Sequence, residues 1–210
     1  MPDSMPSSPP LLQALPVLPL SAVLFPGGSL DLTLKDARYV GPMLQHMKPG
    51  QGLGVICWKP AQAGEAPSLQ DVGCLAQLSD ADLGTAGPSG VRVRLQGHGR
   101  FTLRRQWQAE TGVWLVDADL LPPDEVLAPS PEMAPAVDAL ERTLAALALQ
   151  GKETPAWRGA DAGWVANRWL ELLPLPLKLK QELMALQDPV ARLLLVDQFL
   201  RAKQIVGPAA

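Results

Sequence analysis

The hydrophobic period of this chain changes once, and that change constrains its fold more than any other feature. Up to about residue 120 apolar residues alternate with polar ones; from about residue 131 they recur every three to four positions. Leu30, Leu32 and Leu34 alternate with Asp31, Thr33 and Lys35, the pattern of a strand buried on one face. Met133, Val137, Leu140, Leu144 and Leu147 form an apolar helical stripe that Gly151 ends. Strands followed by helices predict an α+β protein of two subdomains. A Pro/Ser-rich lead-in over 1–14 is expected to be flexible, with a strand-rich subdomain over 15–122 and a helical one over 131–206.

Within the strand-rich part, LFPGGSLDLTL reads as strand, tight turn, strand, because glycine at the turn accepts a positive φ without a Cβ clash. Asp36–Met47 has helical spacing and Lys48-Pro49-Gly50 stops it. LGVICW (53–58) is a continuous apolar run suited to a fully buried strand, and VGCLAQL (72–78) alternates again. VRVRL-QGHG-RFTLRRQW reads as a hairpin, with Val91, Val93, Leu95, Phe101, Leu103 and Trp107 on one face. Arg92, Arg94, Arg100 and Arg104 take the other, and residues 113–120 supply one more strand. Asp161 is placed to cap a second helix carrying Val165, Trp169 and Leu172, which Pro174 ends. A third helix follows over about 176–186. Asp188-Pro189 then gives an N-cap and a first-turn proline to a last helix reaching about Ile205.

Composition narrows the function classes. The 47% hydrophobic content suits a packed domain, and the net charge of −3 argues against nucleic acid as the partner. Cys57 and Cys74 each lie in an apolar strand, as buried free thiols do in a reducing compartment, so a cytoplasmic location is expected. No Lys or Arg precedes Lys35, and the apolar runs fall short of a bilayer span, so neither secretion nor a membrane partner is expected.

Chemistry-bearing patterns are few. His46 and His98 stand apart, and no zinc spacing, phosphate loop or nucleophile elbow is formed. QGHGR has two close glycines but joins strands, whereas phosphate cradles open a helix. Asp117 and Asp119 share one face of a strand and are read as counter-charges to the arginine face rather than as catalytic carboxylates. No catalytic residue, metal ligand or cofactor is therefore expected. Trp157 lies in a polar connector, where an exposed aromatic would mark a contact surface. Packing onto the sheet subdomain is the favoured alternative, since tryptophan is highly buried on average.

Five segments together resemble the N-terminal, substrate-binding domain of the Lon protease family. The first is L-P-L-x-x-x-V-x-F-P-G with a later R-Y, here Leu18, Pro19, Leu20, Val23, Phe25, Pro26, Gly27, Arg38 and Tyr39. VGCLAQL, VRVRLQGHGRFTLRRQ and LPLPLKLKQELMALQDPVARL supply the rest, in family order, over about 15–205. Two departures stand out: only Arg38-Tyr39 survives of the usual F-E-P-R-Y, and Pro176 replaces a serine-like helix cap. The resemblance implies a PUA-like, mostly antiparallel β-barrel followed by a C-terminal α-helical bundle, in a stand-alone, bacterial-type member without the ATPase and Ser/Lys peptidase domains. It implies a non-catalytic module that recognises unfolded or degron-bearing polypeptides through apolar grooves or exposed aromatics between barrel and bundle, acting as an adaptor to a partner protease or ATPase. Phe25, Pro26, Gly27, Arg38, Tyr39 and Trp157 are its candidate motif or contact residues. RNA binding, which PUA-like barrels also perform, is the alternative, and the oligomeric state is left open.

Overall fold

A computed structural model describes residues 10–36, 38–41, 52–59, 66–87 and 90–207. The fold is α+β: a six-stranded sheet followed by helices. The strands are β1 (Leu11–Leu20), β2 (Ser29–Leu34), β3 (Leu53–Cys57), β4 (Val72–Gly87), β5 (Gly90–Gln108) and β6 (Trp114–Leu120). A 3-10 turn at Pro131–Met133 leads into α1 (Ala134–Leu149), followed by α2 (Ala162–Leu172), α3 (Leu177–Ala185) and α4 (Pro189–Ala202). These divide into two compact units. One holds the sheet, up to Leu24 and from Ser29 to Pro123; the other holds the helices from Asp124 onward and takes in Phe25–Gly28.

In the sheet unit the strand order is β2-β5-β4-β3-β1-β6, and β6 pairs with β5 as well as β1. β1 and β3 run parallel and every other pairing is antiparallel. Leu53–Cys57 is buried at every position, as its unbroken apolar run predicts for a central strand. One core cluster gathers Leu18, Val55, Val93 and Leu95, and a second gathers Val17, Ile56, Phe101 and Val116. β1 begins at Leu11, so it reaches into the segment read as a flexible lead-in. Leu11 and Leu12 pair with Asp119 and Ala118, and a bulge follows, where the Ala14 amide donates to the Asp117 carboxylate at 3.0 Å.

The hairpin expected at QGHG is absent. Residues 90–108 form one strand, and the hairpin is β4–β5 instead. Cys74 faces Arg100 while Ala76 faces Gly97, so β5 carries one more residue there than β4. That extra residue makes a bulge, which bends a strand rather than reversing it, and two nearby glycines serve a bend as well as a turn. Before the bend β5 pairs with β2; beyond it, with β6. The bulge also buries Arg100, which leaves the exposed arginine face, while His98 stays exposed.

The Pro26-Gly27 turn forms as expected: the Gly28 amide donates to the Phe25 carbonyl at 3.0 Å and Gly27 has φ +73°. Val23–Phe25 before it are not strand, and β1 and β2 do not pair with each other. Of the helix expected over 36–47, residues 38–41 are helical and Asp36 is not, while residues 37 and 42–47, His46 among them, lie outside the described residues.

The helical unit follows its local signals closely. Asp161 accepts the Trp164 amide at 3.0 Å, and Asp188 accepts those of Val190 and Ala191. At α3 the departure from the family pattern has a local solution: Pro176 stands at the N-cap without a side-chain bond, and its carbonyl accepts the Lys180 amide at 3.1 Å. Among the described residues, no helix is long and apolar enough to cross a membrane.

Candidate functional site

The candidate residues fall into two places. Arg38 and Tyr39 belong to the sheet unit; Phe25, Pro26, Gly27 and Trp157 belong to the helical unit. Arg38 is exposed, and its Nε donates to both Asp36 carboxylate oxygens, at 2.9 and 3.0 Å. Those bonds hold the Asp36 carboxyl below the usual carboxylate range. Nη1 reaches the Gly112 carbonyl at 3.4 Å. Tyr39 is buried in the first core cluster, and burial raises its phenol. Arg38-Tyr39 thus fixes the start of the segment after β2, with Tyr39 as the core anchor.

Phe25-Pro26-Gly27 is held from α2. The helix buries every residue from Ala162 to Leu170, including Asn167 and Arg168, so it has no solvated face over that stretch. Arg168 is only 3% exposed. Its Nη2 donates to the Pro26 carbonyl at 2.9 Å, and its Nη1 donates to the Gly27 carbonyl. Nη2 also reaches Glu171 Oε1, one helical turn on, at 2.9 Å. Phe25 itself is fully buried. A Cβ at Gly28 would overlap the Glu171 carboxylate, so a larger residue there requires that side chain to move. Phe25 is thus a core residue, while Pro26 is partly buried and Gly27 exposed, with both their carbonyls clasped by Arg168.

Aromatic contacts extend from the clasp. The Arg168 guanidinium lies 5.8 Å from the Trp164 ring, and Trp164 meets Trp157 edge to face at 5.4 Å and 87°. Trp164 is buried, whereas Trp157 is 41% exposed. Trp157 thus offers an apolar ring to solvent from a rigid support.

Burial pushes the Glu171 carboxyl up to about 7, against the opposing pull of Arg168 and Lys180. Unfolding returns it to its ordinary value of 4.5. Between those values the folded chain holds a proton that the unfolded chain releases, so stability falls as pH rises from 4.5 to about 7. Glu171→Gln should flatten that part of the profile in urea denaturation across this range. An unchanged slope would show that Glu171 does not set it.

Two buried arginines were not singled out from the sequence. Arg168 is one. Arg192, 1% exposed, is the other: Nε donates to the Leu183 carbonyl at 3.0 Å, and Nη1 to Asp124 Oδ2 at 2.6 Å and to Asn167 Oδ1 at 3.2 Å. Nη2 donates to the Leu186 carbonyl. The signal at Arg168 pointed outward, since Asn167, Arg168 and Glu171 share one side of the helix as a solvated face does. For Arg192 it was an arginine beside Leu193 and Val196 on a helix whose opposite side already carries Leu194 and Leu195.

On the sheet unit, the arginines of β5 meet carboxylates. Arg104 pairs with Asp119, and Arg105 with Asp117 at 3.2 Å, which agrees with the counter-charge reading of the two aspartates. Arg94 binds Asp31 through Nε at 2.6 Å and Nη2 at 3.1 Å. An open cleft of about 500 Å³ lies here, lined by Asp31, Thr33, Asp80, Asp82, Arg92 and Arg94. Among the described residues no group of His, Cys, Asp and Glu side chains is arranged to hold a metal ion.

This arrangement is similar to known structures. The crystal structure of a Lon N-terminal domain protein from Xanthomonas campestris aligns with a TM-score of 0.70 and 26% identity, covering 90% of this chain and 98% of that one. The N-terminal domain of the Mycobacterium avium complex Lon protease aligns with a TM-score of 0.63 and 17% identity, covering 89% and 97%. No curated protein sequence matches the chain. The sequence model of the ATP-dependent protease La (LON) substrate-binding domain matches residues 14–202. With nearly its whole length matched, strands and helices alike, the chain belongs to the Lon substrate-binding domain family.

Proposed function

We propose that this chain is a non-catalytic polypeptide-binding module that recognises unfolded or degron-bearing segments and acts in the cytoplasm as an adaptor to a separate protease or ATPase. On this reading the sheet unit is a PUA-like barrel, a view supported by pairings that run in a circuit through β1, β3, β4, β5 and β6, and the helical unit is a bundle. The observation that carries the functional reading is Trp157, half exposed on the buried Trp164, in a chain matched over 14–202 by a substrate-binding family. Aromatic rings on rigid supports are efficient contacts for apolar peptide side chains, because they lose little rotamer freedom on binding. The buried Cys57 thiol, pushed up to about 11 by burial, suits a reducing compartment, where such thiols stay inert. The RNA alternative draws on the arginines of β5, but Arg94, Arg104 and Arg105 already engage carboxylates.

Trp157→Ala tests the role of the ring. Affinity for a fluorescein-labelled, carboxymethylated unfolded protein should fall about tenfold, an interfacial loss near 1.4 kcal/mol. Stability should fall by only about 1 kcal/mol, the scale of one aromatic pair. Equal losses of folding and binding would make Trp157 a core residue instead.

A further inference from the structure

Among the described residues, β2 is the one strand at the margin of this sheet with an unbroken register. Six consecutive residues, Ser29–Leu34, pair with Gln96–Val91 without a bulge, whereas the β1–β6, β4–β5 and β5–β6 pairings all shift register. Among the described residues no strand pairs with its outer side. Proteins blunt such edges with proline, a bulge, charged side chains or a covering helix or loop. β2 has neither proline nor bulge, and its single charge, Asp31, is bound by Arg94. A regular strand left this way offers a row of backbone donors and acceptors to an added chain.

The side chains on either face define what that chain would carry. Register places Asp31, Arg94 and Asp80 in one row across β2, β5 and β4, and Thr33, Arg92 and Asp82 in the next. Asp31 is 67% exposed at the outer end of its row. The charge sign alternates along that row, so a strand laid outside β2 continues it with a basic side chain beside Asp31. Ser29 and Thr33 flank Asp31 on the same face and fit polar neighbours. On the opposite face Leu30 and Leu32 are partly buried against the first core cluster, and apolar side chains of an added strand would extend it.

We propose that the outer edge of β2 binds an extended polypeptide by strand addition, selecting a basic residue flanked by apolar ones through Asp31, Leu30 and Leu32. The inference rests on the polypeptide-binding reading and gives it a site and a mode. Backbone pairing recognises any extended chain, which suits a receptor for unfolded segments, and the alternate side chains supply the selection.

The test uses the full chain and a labelled peptide with the core Thr-Val-Lys-Val-Thr, flanked by Gly-Ser, whose near-symmetry makes strand direction immaterial. N-methylating one alternate set of its amides should weaken binding at least about tenfold, and the other set about twofold or less, because an added strand pairs through one edge. Hydrogen exchange within residues 29–34 should slow about tenfold on binding, as open-edge amides become paired. A glutamate in place of the lysine should weaken binding about fivefold, and Asp31→Asn should abolish that preference. Binding with no N-methyl periodicity and no protection of 29–34 would overturn strand addition while leaving the polypeptide-binding reading intact. No binding of this peptide or of the unfolded protein would overturn both.

Discussion

Replacing Arg192 by methionine should destabilise the protein by about 3–5 kcal/mol and lower its Tm by roughly 10 °C. The guanidinium is 1% exposed and distributes its donors among Asp124, Asn167 and the carbonyls of Leu183 and Leu186. Leu183 and Leu186 lie at the end of α3, where helix carbonyls lack intrahelical partners, so Arg192 serves as the C-cap of the neighbouring helix. Methionine matches the volume of the stem but withdraws charge-assisted donors from one carboxylate and two carbonyls. Lysine keeps the charge but cannot reach partners on several sides at once, so Arg192→Lys should recover less than half of the loss. The double change Arg192→Met with Asp124→Leu should recover part, because the carboxylate is then gone as well. Thermal and urea denaturation of the four proteins measures this. A loss below about 1 kcal/mol for Arg192→Met would contradict the assignment of Arg192 as the organiser of the helical unit.

Arg168→Leu is expected to cost a similar amount, about 3–5 kcal/mol, with a local signature of its own. The side chain clasps Pro26 and Gly27 to α2, so its loss should speed hydrogen exchange at the Gly28 amide, which the turn holds on the Phe25 carbonyl. It also removes the cation that draws the Glu171 carboxyl downward. The proton on Glu171 should then be held to a higher pH than in the parent, and the fall of stability with pH should move upward. Urea denaturation from pH 5 to 9 beside exchange at Gly28 separates the two effects. Unchanged exchange at Gly28 would show that the turn holds without Arg168.

Features set by neighbours in sequence were legible. Asp161 and Asp188-Pro189 marked helix starts because a carboxylate before an apolar-periodic run can take orphan amides, and both do so. Pro26-Gly27 marked a turn because its stereochemistry is local. Features set by distant partners were not. Gly97 and Gly99 permit a bend or a reversal equally, and only the opposing β4 residues decide that β5 continues. Nothing near Val17 announces that it pairs in parallel with Gly54. The burial of Arg168 and Arg192 defies residue type: their place in the core depends on carbonyls and carboxylates brought from elsewhere in the chain. The same reasoning applies to the turn at Pro26-Gly27. Phe25, Pro26 and Gly27 were legible as a motif, but the partner that makes them a clasp lies 141 residues away from Gly27.

The most direct test of the central claim compares three labelled probes titrated with the full chain by fluorescence anisotropy: a permanently unfolded protein, the same protein folded, and an RNA oligomer. Saturable binding of the unfolded probe alone, retained at raised salt because its basis is apolar contact and backbone pairing, is the predicted result. Binding of RNA alone, falling steeply with salt, or equal binding of folded and unfolded protein would contradict a module that recognises unfolded polypeptide.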